Sequence, residues 1–336
     1  MNARLQVHDA PRLGFLGVGW IGCQRMQVLA DSGVAAMAAI ADPHAPSREK
    51  AAEHAPDARQ CESVAELLAC DDLDGVVIAT PSGAHTLQAI AALERGLAVF
   101  CQKPLTRTAD EARQVVEAAR SADRLLEVDF SYRAVRGMPE LREVVRSGEL
   151  GEVYAVDLVF HNAYGPDKPW FYELAQSGGG CVMDLGIHLV DLAQWVCGSS
   201  GHAGMNAALY AKGLRLTCPV DRVEDYTSAQ WALDNGAQVR MTCSWRLAAG
   251  CDAVIQAAFH GTRGGAMLRN VAGSFYDFTV ERFDGTARTC LAAPPDAWGG
   301  RTLVAWAERL RRGGRFDPAA EDLVQVARTV DAIYGR

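Results

Sequence analysis

Several features that mark particular classes of protein are missing from this sequence of 336 residues. No uninterrupted apolar run approaches the ~20 residues that a membrane-spanning helix needs. The N-terminal stretch lacks the apolar core and cleavage site of a secretory signal. A formal net charge of −8 does not support binding to nucleic acid. We therefore expect a cytoplasmic protein that binds neither a membrane nor nucleic acid.

Closely spaced cysteine pairs are also missing, because none of the ten cysteines forms a Cys-x-x-Cys motif. Without a secretory signal, most of these thiols are expected to be free in a reducing compartment. Cys101 and Cys181 lie beside the motifs described below. We interpret both as small core residues, because a redox or nucleophilic role needs a lowered thiol pKa that a sequence does not show.

What is present is the composition of a globular protein, with 49% hydrophobic and 22% charged residues. In the first part of the chain, short apolar strands alternate with helical patterns, as in a parallel, doubly wound sheet. The expected strands are 13–18, 34–41, 75–80, 97–101 and 125–132, and the expected helices are 21–31, 63–70, 85–96 and 109–124. We predict a doubly wound α/β domain over residues 1–130.

The pattern changes after about residue 130. The expected elements are a helix at 139–148, a strand at 153–161, an aromatic loop at 161–177, a helix at 181–197 and two closing helices at 301–312 and 319–335. Strands dominate from Tyr210 to about Leu291, with turns at LDNG, GTRGG and FDGT. Consecutive strands with short turns indicate an antiparallel sheet, so residues 131–336 are predicted to form a second α/β domain.

The first motif is LGFLGVGWIG, a G-x-G-x-x-G that lies between a predicted strand and a predicted helix. Such glycines permit a tight turn and a close approach of the backbone to a pyrophosphate. Asp42 lies 20 residues after Gly22, the spacing of an acidic side chain that binds the adenosine ribose. A coincidental glycine-rich turn is the alternative. The motif predicts an NAD site with contacts from Gly17, Gly19, Trp20, Ile21, Gly22 and Asp42.

The acidic side chain of Asp42 also bears on the choice of cofactor. A carboxylate should repel the 2′-phosphate of NADP, which favours NAD. His44 and Arg48 follow closely in the sequence and leave NADP open.

Glycine or polar segments follow four of the predicted strands, namely Gly17–Gly22, Asp42, Thr80-Pro81 and Gln102-Lys103-Pro104. Parallel open sheets bind ligands at the carboxyl ends of their strands, so these segments are expected at one edge, beside the cofactor. Lys103 is thereby directed toward the nicotinamide end. His85 opens a helix near this edge and is assigned to cofactor binding, where it caps or orients rather than catalyses.

The second motif is GGGCVMDLGIHLVDLAQWVCG, a helical stretch without Lys, Arg or Glu. At about 100° per residue, Asp184, His188 and Asp191 form one polar stripe on an otherwise apolar helix. Buried ionisable groups need partners, so such a stripe indicates a catalytic site. Two alternatives are a hydrogen-bonded core histidine with capping or solvated aspartates, and a metal site. No obvious further ligand supports a metal, and none is expected.

Together these motifs resemble the glucose–fructose oxidoreductase, inositol dehydrogenase and rhizopine-catabolism family, abbreviated Gfo/Idh/MocA. The elements that carry the resemblance are GFLGVGWIG with Asp42, ATPSGAH, CQKP and GGGCVMDLGIHLVD, in the family's order over essentially the whole chain. The resemblance implies a Rossmann domain, a second α/β domain with a large open sheet, a nicotinamide cofactor and a sugar or cyclitol substrate. It also implies a homodimer or homotetramer formed through that sheet.

The resemblance further implies roles for single residues. Lys103 matches the lysine that contacts the reacting hydroxyl, Asp184 and His188 match the catalytic pair, and Asp191 matches a substrate contact. One departure is Gln102, where the family usually has a glutamate. Glutamine can still form a hydrogen bond with the nicotinamide ribose. The replacement of glutamate by glutamine removes a negative charge beside Lys103, so the lysine should lose its ammonium form more readily.

These residues predict a mechanism of hydride transfer. His188 is the expected general base, Asp184 would orient its ring, and Lys103 would stabilise the alkoxide or polarise a ketone. Substrate contacts are expected from Lys103, Tyr132, Arg133, Tyr164, Trp170, Asp184, His188 and Asp191. The loop aromatics suit a sugar ring, although packing onto the domain explains each of them equally well.

The leading prediction is therefore an NAD-dependent dehydrogenase or ketoreductase of a sugar, sugar derivative or cyclitol. An NAD-dependent glycosidase that oxidises its sugar transiently is one alternative, and it would leave no net NADH. A ligand-sensing regulator without catalysis is another. Retention of Lys103, Asp184 and His188 together argues against the regulator.

Overall fold

The computed structural model describes residues 10–217 and 221–336, which form two compact units. The first unit contains the described residues up to Thr106, together with Asp110–Ser131 and Gly299–Leu323. The second contains Arg107–Ala109, the described part of Tyr132–Trp298, and Val324–Arg336. Cys218 and the first nine residues of the N-terminal stretch lie outside the described residues.

The first unit is built on a six-stranded parallel sheet, which confirms the doubly wound fold. Its strands are β1 (Arg12–Leu16), β2 (Ala36–Ala41), β3 (Arg59–Cys61), β4 (Gly75–Ile78), β5 (Ala98–Cys101) and β6 (Leu126–Val128). The order is β3-β2-β1-β4-β5-β6, so the chain reverses direction across the sheet between β1 and β4. That reversal is where doubly wound sheets bind their ligands.

The helices of this unit are Trp20–Ser32, Ala45–Ala52, Val64–Leu68, Ser82–Glu94, Ala109–Ala122 and Arg301–Arg311. The last of these returns from the far end of the sequence, which the expected division at residue 130 did not foresee. Trp306 is fully buried, and its ring centroid lies 5.7 Å from that of Phe100 on β5. An amphipathic pattern shows that a helix has a buried face but not which sheet covers it.

The second unit is built on a nine-stranded sheet. Its strands are β7 (Val153–Asn162), β8 (Ala203–Ala211), β9 (Leu214–Arg215), β10 (Tyr226–Ala232), β11 (Gln238–Ser244), β12 (Ala253–Gly261), β13 (Gly265–Asn270), β14 (Phe278–Asp284) and β15 (Ala287–Ala292). Only the β7–β11 pair is parallel among the described pairings of this sheet, which confirms a large, mostly antiparallel sheet. The run of strands begins at Ala203, earlier than expected.

The helices of the second unit are Met138–Arg146, Leu174–Ser177 and Ile187–Cys197, with most of Glu321–Tyr334. The stretch Leu174–Cys197 is long and apolar enough to cross a membrane, but 83% of its most apolar window is buried inside the protein. It therefore resembles the core helix of a globular fold. Ser131 and Tyr132, expected at the end of a strand, lie instead in the 3₁₀ turn Ser131–Ala134.

Candidate functional site

The four segments predicted to follow parallel strands lie at one edge of the first sheet. The backbone N–H of Gly17 donates to Ala41 at 2.8 Å, and that of Ala79 donates to Leu16 at 2.7 Å. The N–H of Gln102 donates to Ile78 at 2.8 Å. These bonds extend the ladders of β1, β2, β4 and β5 past their carboxyl ends.

The glycine loop combines tight packing with one open position. A Cβ on Gly17, which has φ +82°, would lie 2.7 Å from the Ala79 carbonyl, and a Cβ on Gly22 would lie 2.3 Å from the Gly17 oxygen. A Cβ on Gly19 would meet nothing within 4 Å. Gly19 also precedes the helix Trp20–Ser32, whose first turn has no acidic residue. The open position suits a pyrophosphate, so the residues fit a dinucleotide.

Asp42 is anchored to the backbone on both carboxylate oxygens. Oδ2 accepts from the Val18 N–H at 2.9 Å, and Oδ1 accepts from the His44 N–H at 2.9 Å. Each oxygen keeps further lone-pair capacity for a ribose hydroxyl. The Arg48 guanidinium donates to the Asp42 carbonyl. Arg48 is thus held on the main chain beside Asp42.

His85 connects two segments of the cofactor edge. Its Nδ1 lies 2.7 Å from the Pro104 carbonyl, and its Nε2 lies 2.8 Å from the Thr80 carbonyl. Burial lowers the pKa of His85, and the nearby charge of Lys103 acts in the same direction, while the two carbonyl contacts oppose the shift. The ring ties Thr80 to the Lys-Pro turn, which agrees with an orienting role.

Gln102 is part of a buried polar cluster that the sequence interpretation missed. Its Nε2 donates to Oδ2 of Asp129 at 2.6 Å. The same carboxylate accepts from Nε of Arg25 at 2.7 Å and from Oγ1 of Thr302 at 2.6 Å. Asp129 directly follows β6, as Gln102 follows β5, and that parallel was the available signal.

The helix with the polar stripe does not begin as an α-helix. Residues Val182–Gly186 form a π-helical turn, and the α-helix starts at Ile187. Because a π-turn advances by a different angle per residue, the expected 100° spacing does not hold between Asp184 and His188. Single π-turns inside helices are frequent at functional sites.

Asp184 is oriented by an aromatic side chain from the end of β11. Nε1 of Trp245 donates to Oδ2 of Asp184 at 2.9 Å. Trp245 also packs edge-on against Phe171, with the ring centroids 6.4 Å apart. The predicted aromatic loop is thereby connected to the predicted catalytic carboxylate. Trp245 was not predicted, because no local pattern ties β11 to this helix.

His188 is buried among aromatic rings. Its ring centroid lies 4.9 Å from that of Tyr132, at an interplanar angle of 78°. Tyr132 packs in turn against Trp298 at 5.2 Å and Phe278 at 5.6 Å. Burial raises the pKa of Tyr132, and the negative charge of Asp184 acts in the same direction. Tyr132 is therefore a neutral phenol that helps to define the position of the imidazole.

Asp191 is paired with Arg133 in a two-point contact. Nε of Arg133 donates to Oδ2 of Asp191 at 2.9 Å, and Nη2 of Arg133 donates to Oδ1. The Asp191 side chain is almost fully buried, whereas that of Arg133 is partly exposed. Of the two side chains, that of Arg133 is therefore the one accessible to solvent.

Two of the three glycines before the helix allow close packing by Tyr334 and by the main chain of Glu224. A Cβ on Gly180 would lie 1.8 Å from the Glu224 carbonyl, and one on Gly179 would lie 2.0 Å from the Tyr334 hydroxyl. The Glu224 carboxylate accepts from the N–H groups of Gly180 and Val182 and from the Tyr334 hydroxyl, each at 2.9 Å. Glu224 and Tyr334, both missed by the sequence interpretation, hold the start of this helix.

Two other predicted substrate residues lie on the aromatic loop. Tyr164 is exposed and donates from its hydroxyl to Asp252 at 2.5 Å. Trp170 stacks on Phe171, with their ring centroids 3.8 Å apart. Both rings therefore have partners within the second unit, as the packing alternative expects.

The cysteines support their interpretation as core residues. Within the described ranges, the nine cysteines are free thiols. Cys101 and Cys181 are fully buried, and burial raises the pKa of each thiol. Among residues 10–217 and 221–336, no group of three or more His, Cys, Asp or Glu side chains is arranged to hold a metal ion.

Two sequence models of one family match the chain. Residues 12–130 match the oxidoreductase family with an NAD-binding Rossmann fold, and residues 138–267 match the GFO/IDH/MocA C-terminal domain. The first match confirms the predicted Rossmann domain and the predicted type of cofactor. It does not assign individual site residues.

Among curated proteins, the rhizopine catabolism protein MocA of Rhizobium meliloti is 34% identical over 189 residues, 56% of this chain and 57% of that protein. The D-glucoside 3-dehydrogenase of Escherichia coli K12 is 30% identical over 205 residues, 58% of each chain. The inositol 2-dehydrogenase of Leifsonia xyli is 35% identical over 191 residues, 56% of this chain and 54% of that protein. The chain thus spans just over half the length of these relatives.

Solved structures share the fold over nearly the whole chain. GenD2 from gentamicin A biosynthesis, in complex with NAD, superposes with a TM-score of 0.82 at 23% identity, covering 98% of this chain and 95% of that one. Levoglucosan dehydrogenase with NADH and levoglucosan gives 0.81 at 22% identity, covering 97% and 96%. The motifs, the two sheets and the two matched sequence models agree, and the chain belongs to the Gfo/Idh/MocA family of oxidoreductases.

Proposed function

We propose that the protein is an NAD-dependent oxidoreductase that transfers hydride between a nicotinamide cofactor and a hydroxyl or keto carbon of a sugar, sugar derivative or cyclitol. The observation that carries the proposal is the pair Asp184 and His188 on a buried helix of a chain with an NAD-binding fold. Asp184 has a fixed orientation through Trp245. Such a pair is suited to moving the proton of an alcohol.

In this proposal NAD would accept the hydride, and the side chains bind the hydroxyl proton and stabilise charge on the substrate oxygen. His188 takes the hydroxyl proton, and Asp184 stabilises the imidazolium that results. Lys103 neutralises charge on the substrate oxygen during oxidation or polarises the ketone during reduction. Arg133 contributes a polar contact to the substrate through the exposed part of its guanidinium.

The preference for NAD over NADP rests on Asp42. Its carboxylate is held in place by two backbone N–H groups, so it cannot easily swing away from a 2′-phosphate. We expect NADH to bind at least about tenfold more tightly than NADPH, a difference of roughly 1.4 kcal/mol in binding free energy. Asp42→Ala should narrow that ratio, as measured by fluorescence titration. Equal affinities in the unaltered protein would contradict the assignment.

The substrate class rests on the relatives, whose names include a glucoside 3-dehydrogenase and an inositol 2-dehydrogenase. The test is a panel of sugars and polyols with NAD or NADP, in which absorbance of the reduced cofactor is followed. A dehydrogenase forms NADH in step with the oxidised product. The comparisons give no support to the glycosidase or the regulator, and turnover without net NADH, or no turnover with any sugar, would revive them.

The assigned roles are tested by Lys103→Ala and His188→Ala. Each substitution is expected to lower turnover by about 10²-fold or more, while NADH still binds. Matched controls are Lys50→Ala and His202→Ala, which alter exposed residues of the same types. Near-normal turnover in either active-site variant would refute the role of that residue.

Self-association through the nine-stranded sheet and a cytoplasmic location remain predictions. The expected homodimer or homotetramer can be checked by light scattering coupled to size-exclusion chromatography. Arg240 and Asp157 form an ion pair on neighbouring strands of this sheet. Arg240→Glu would place like charges together there and is expected to weaken a sheet-mediated contact.

A further inference from the structure

Gln102 stands where the family usually has a glutamate, and the surrounding charges give this difference a physical meaning. The Gln102 amide contacts the side chain of Asp129, a residue that is 1% exposed. The distance from Nε2 of Gln102 to Oδ2 of Asp129 is only 2.6 Å. A glutamate at position 102 would place two carboxylates within that distance of each other.

The contact with Asp129 determines the orientation of the Gln102 amide. An ionised carboxylate only accepts hydrogen bonds, so the NH₂ end of the amide must face Asp129. The carbonyl oxygen Oε1 is then the end that can accept a hydrogen bond from a ligand. A glutamine without such a neighbour could present either end, because the two orientations have the same shape.

The cluster is also balanced in charge. Arg25 donates to Asp129 at 2.7 Å, and both side chains are buried. A third donor, the Thr302 hydroxyl, lies 2.6 Å from the other carboxylate oxygen. The negative charge of Asp129 is therefore already matched by a guanidinium, and a second carboxylate would have no counter-charge in the cluster.

We propose that Asp129 is the positioning residue for Gln102, which it holds with Nε2 buried so that Oε1 is the acceptor offered to the nicotinamide ribose. The inference rests on the proposed NAD-dependent function for the identity of the ligand. The Gln102–Asp129 pair thus presents an oxygen acceptor, as a glutamate would. The negative charge lies on the buried Asp129 carboxylate rather than on residue 102. Asp129 touches neither cofactor nor substrate in this arrangement.

The decisive variant is Gln102→Glu, studied as a function of pH in the full chain. At low pH the introduced carboxyl group is protonated, so it can donate to Asp129 and keep a carbonyl acceptor, and the variant should behave like the unaltered protein. At high pH the two carboxylates repel, and the positioning is lost. We expect the affinity for NADH to fall by at least about tenfold, relative to the unaltered protein, between about pH 5.5 and pH 9.

A second measurement needs no cofactor. Thermal denaturation of the same variant should show a midpoint close to that of the unaltered protein at about pH 5.5 and about 3 °C or more below it at about pH 9. The sign follows because a raised carboxyl pKa in the folded protein makes stability decrease as pH rises. Gln114→Glu is the matched control, since it adds the same charge on an exposed face of the helix Ala109–Ala122.

Rescue separates positioning from a general loss of packing. In Gln102→Glu/Asp129→Asn, the cluster holds one carboxylate and the Arg25 guanidinium, so the repulsion between two carboxylates is gone and the pH dependence of NADH binding should disappear. The proposal is overturned if Gln102→Glu follows the pH profile of Gln114→Glu, or if the double variant keeps the pH dependence of the single one. If the double variant does not fold, the comparison of Gln102→Glu with Gln114→Glu decides alone.

These results are distinguishable from failure of the proposed function. If the unaltered protein binds no NADH at any pH, the NAD-dependent function fails. The denaturation profiles then still decide whether Asp129 controls the amide of Gln102.

Discussion

Each unit of the molecule contains a buried carboxylate beside its predicted site residues, but the two are stabilised differently. In the first unit, Asp129 forms an ion pair with Arg25 at 2.7 Å. In the second, Glu224 accepts hydrogen bonds from two backbone N–H groups and the Tyr334 hydroxyl, all neutral donors. Burial raises the pKa of Glu224, and these hydrogen bonds partly oppose the shift.

The difference shows two ways to keep a polar group inside a protein. An ion pair compensates the charge itself, so removal of one partner leaves the other charge buried and unmatched. Neutral donors compensate only the hydrogen-bonding capacity, and they require accurate backbone placement. The glycines at 179 and 180 provide that placement, because any side chain there would collide with Tyr334 or Glu224.

The sharpest test of this comparison is Asp129→Leu, which leaves the Arg25 guanidinium buried without its carboxylate. We expect the free energy of unfolding to fall by about 3–5 kcal/mol, measured by chemical denaturation. Arg25→Met/Asp129→Leu should recover the part of that loss that comes from the unmatched charge, because neither charge remains, although Gln102 and Thr302 still lose their acceptor. A loss below about 1 kcal/mol in the single variant would show that Arg25 reaches solvent or another partner.

Glu224→Gln is expected to cost less, about 1–3 kcal/mol, because no opposite charge is left behind. One of the backbone donors at Gly180 or Val182 would then face an NH₂ group.

The site also predicts a pH trend. Since the folded-state pKa of Glu224 is raised above 4.5, the folded protein binds more protons than the unfolded chain just above that pH.

Stability contributed by Glu224 should therefore decrease as pH rises from 4.5 through the folded-state pKa. Because glutamine does not titrate, the stability gap between the unaltered protein and Glu224→Gln should narrow over that interval. If the stability gap between the two proteins widens with rising pH, the hydrogen bonds rather than burial dominate the pKa of Glu224.

The smallest expected effect is that of Tyr334→Phe, about 1 kcal/mol, because Glu224 keeps both backbone donors. Tyr276→Phe is the matched control, since the Tyr276 side chain is 57% exposed. Thermal denaturation of the two variants side by side measures the difference. Equal midpoints would show that the Tyr334 hydroxyl does not stabilise Glu224.

Much of the cofactor edge could be predicted from the sequence because its residues follow local rules. Gly17, Gly19 and Gly22 lie in one loop, and Asp42 and Lys103 each come just after an apolar strand. In a parallel sheet, that position alone directs a residue to the ligand edge. The same rule applied to β6 would have revealed Asp129.

The surroundings of the buried helix could not be predicted in this way. The polar stripe of Asp184, His188 and Asp191 was visible in the sequence, but the π-turn at Val182–Gly186 was not. Asp184 is oriented by Trp245, 61 positions away along the chain. No periodic pattern relates residues on separate elements, so such contacts follow from packing alone.

By itself, the sequence determined the family, the parallel sheet and the residue types available at the candidate site, because these depend on short motifs and local periodicity. Only the tertiary structure decided that Asp129 faces Gln102, that Glu224 holds the glycine turn and that Trp306 returns to the first sheet. Each of these depends on which surfaces meet once apolar area is buried, a property of the whole chain rather than of any segment.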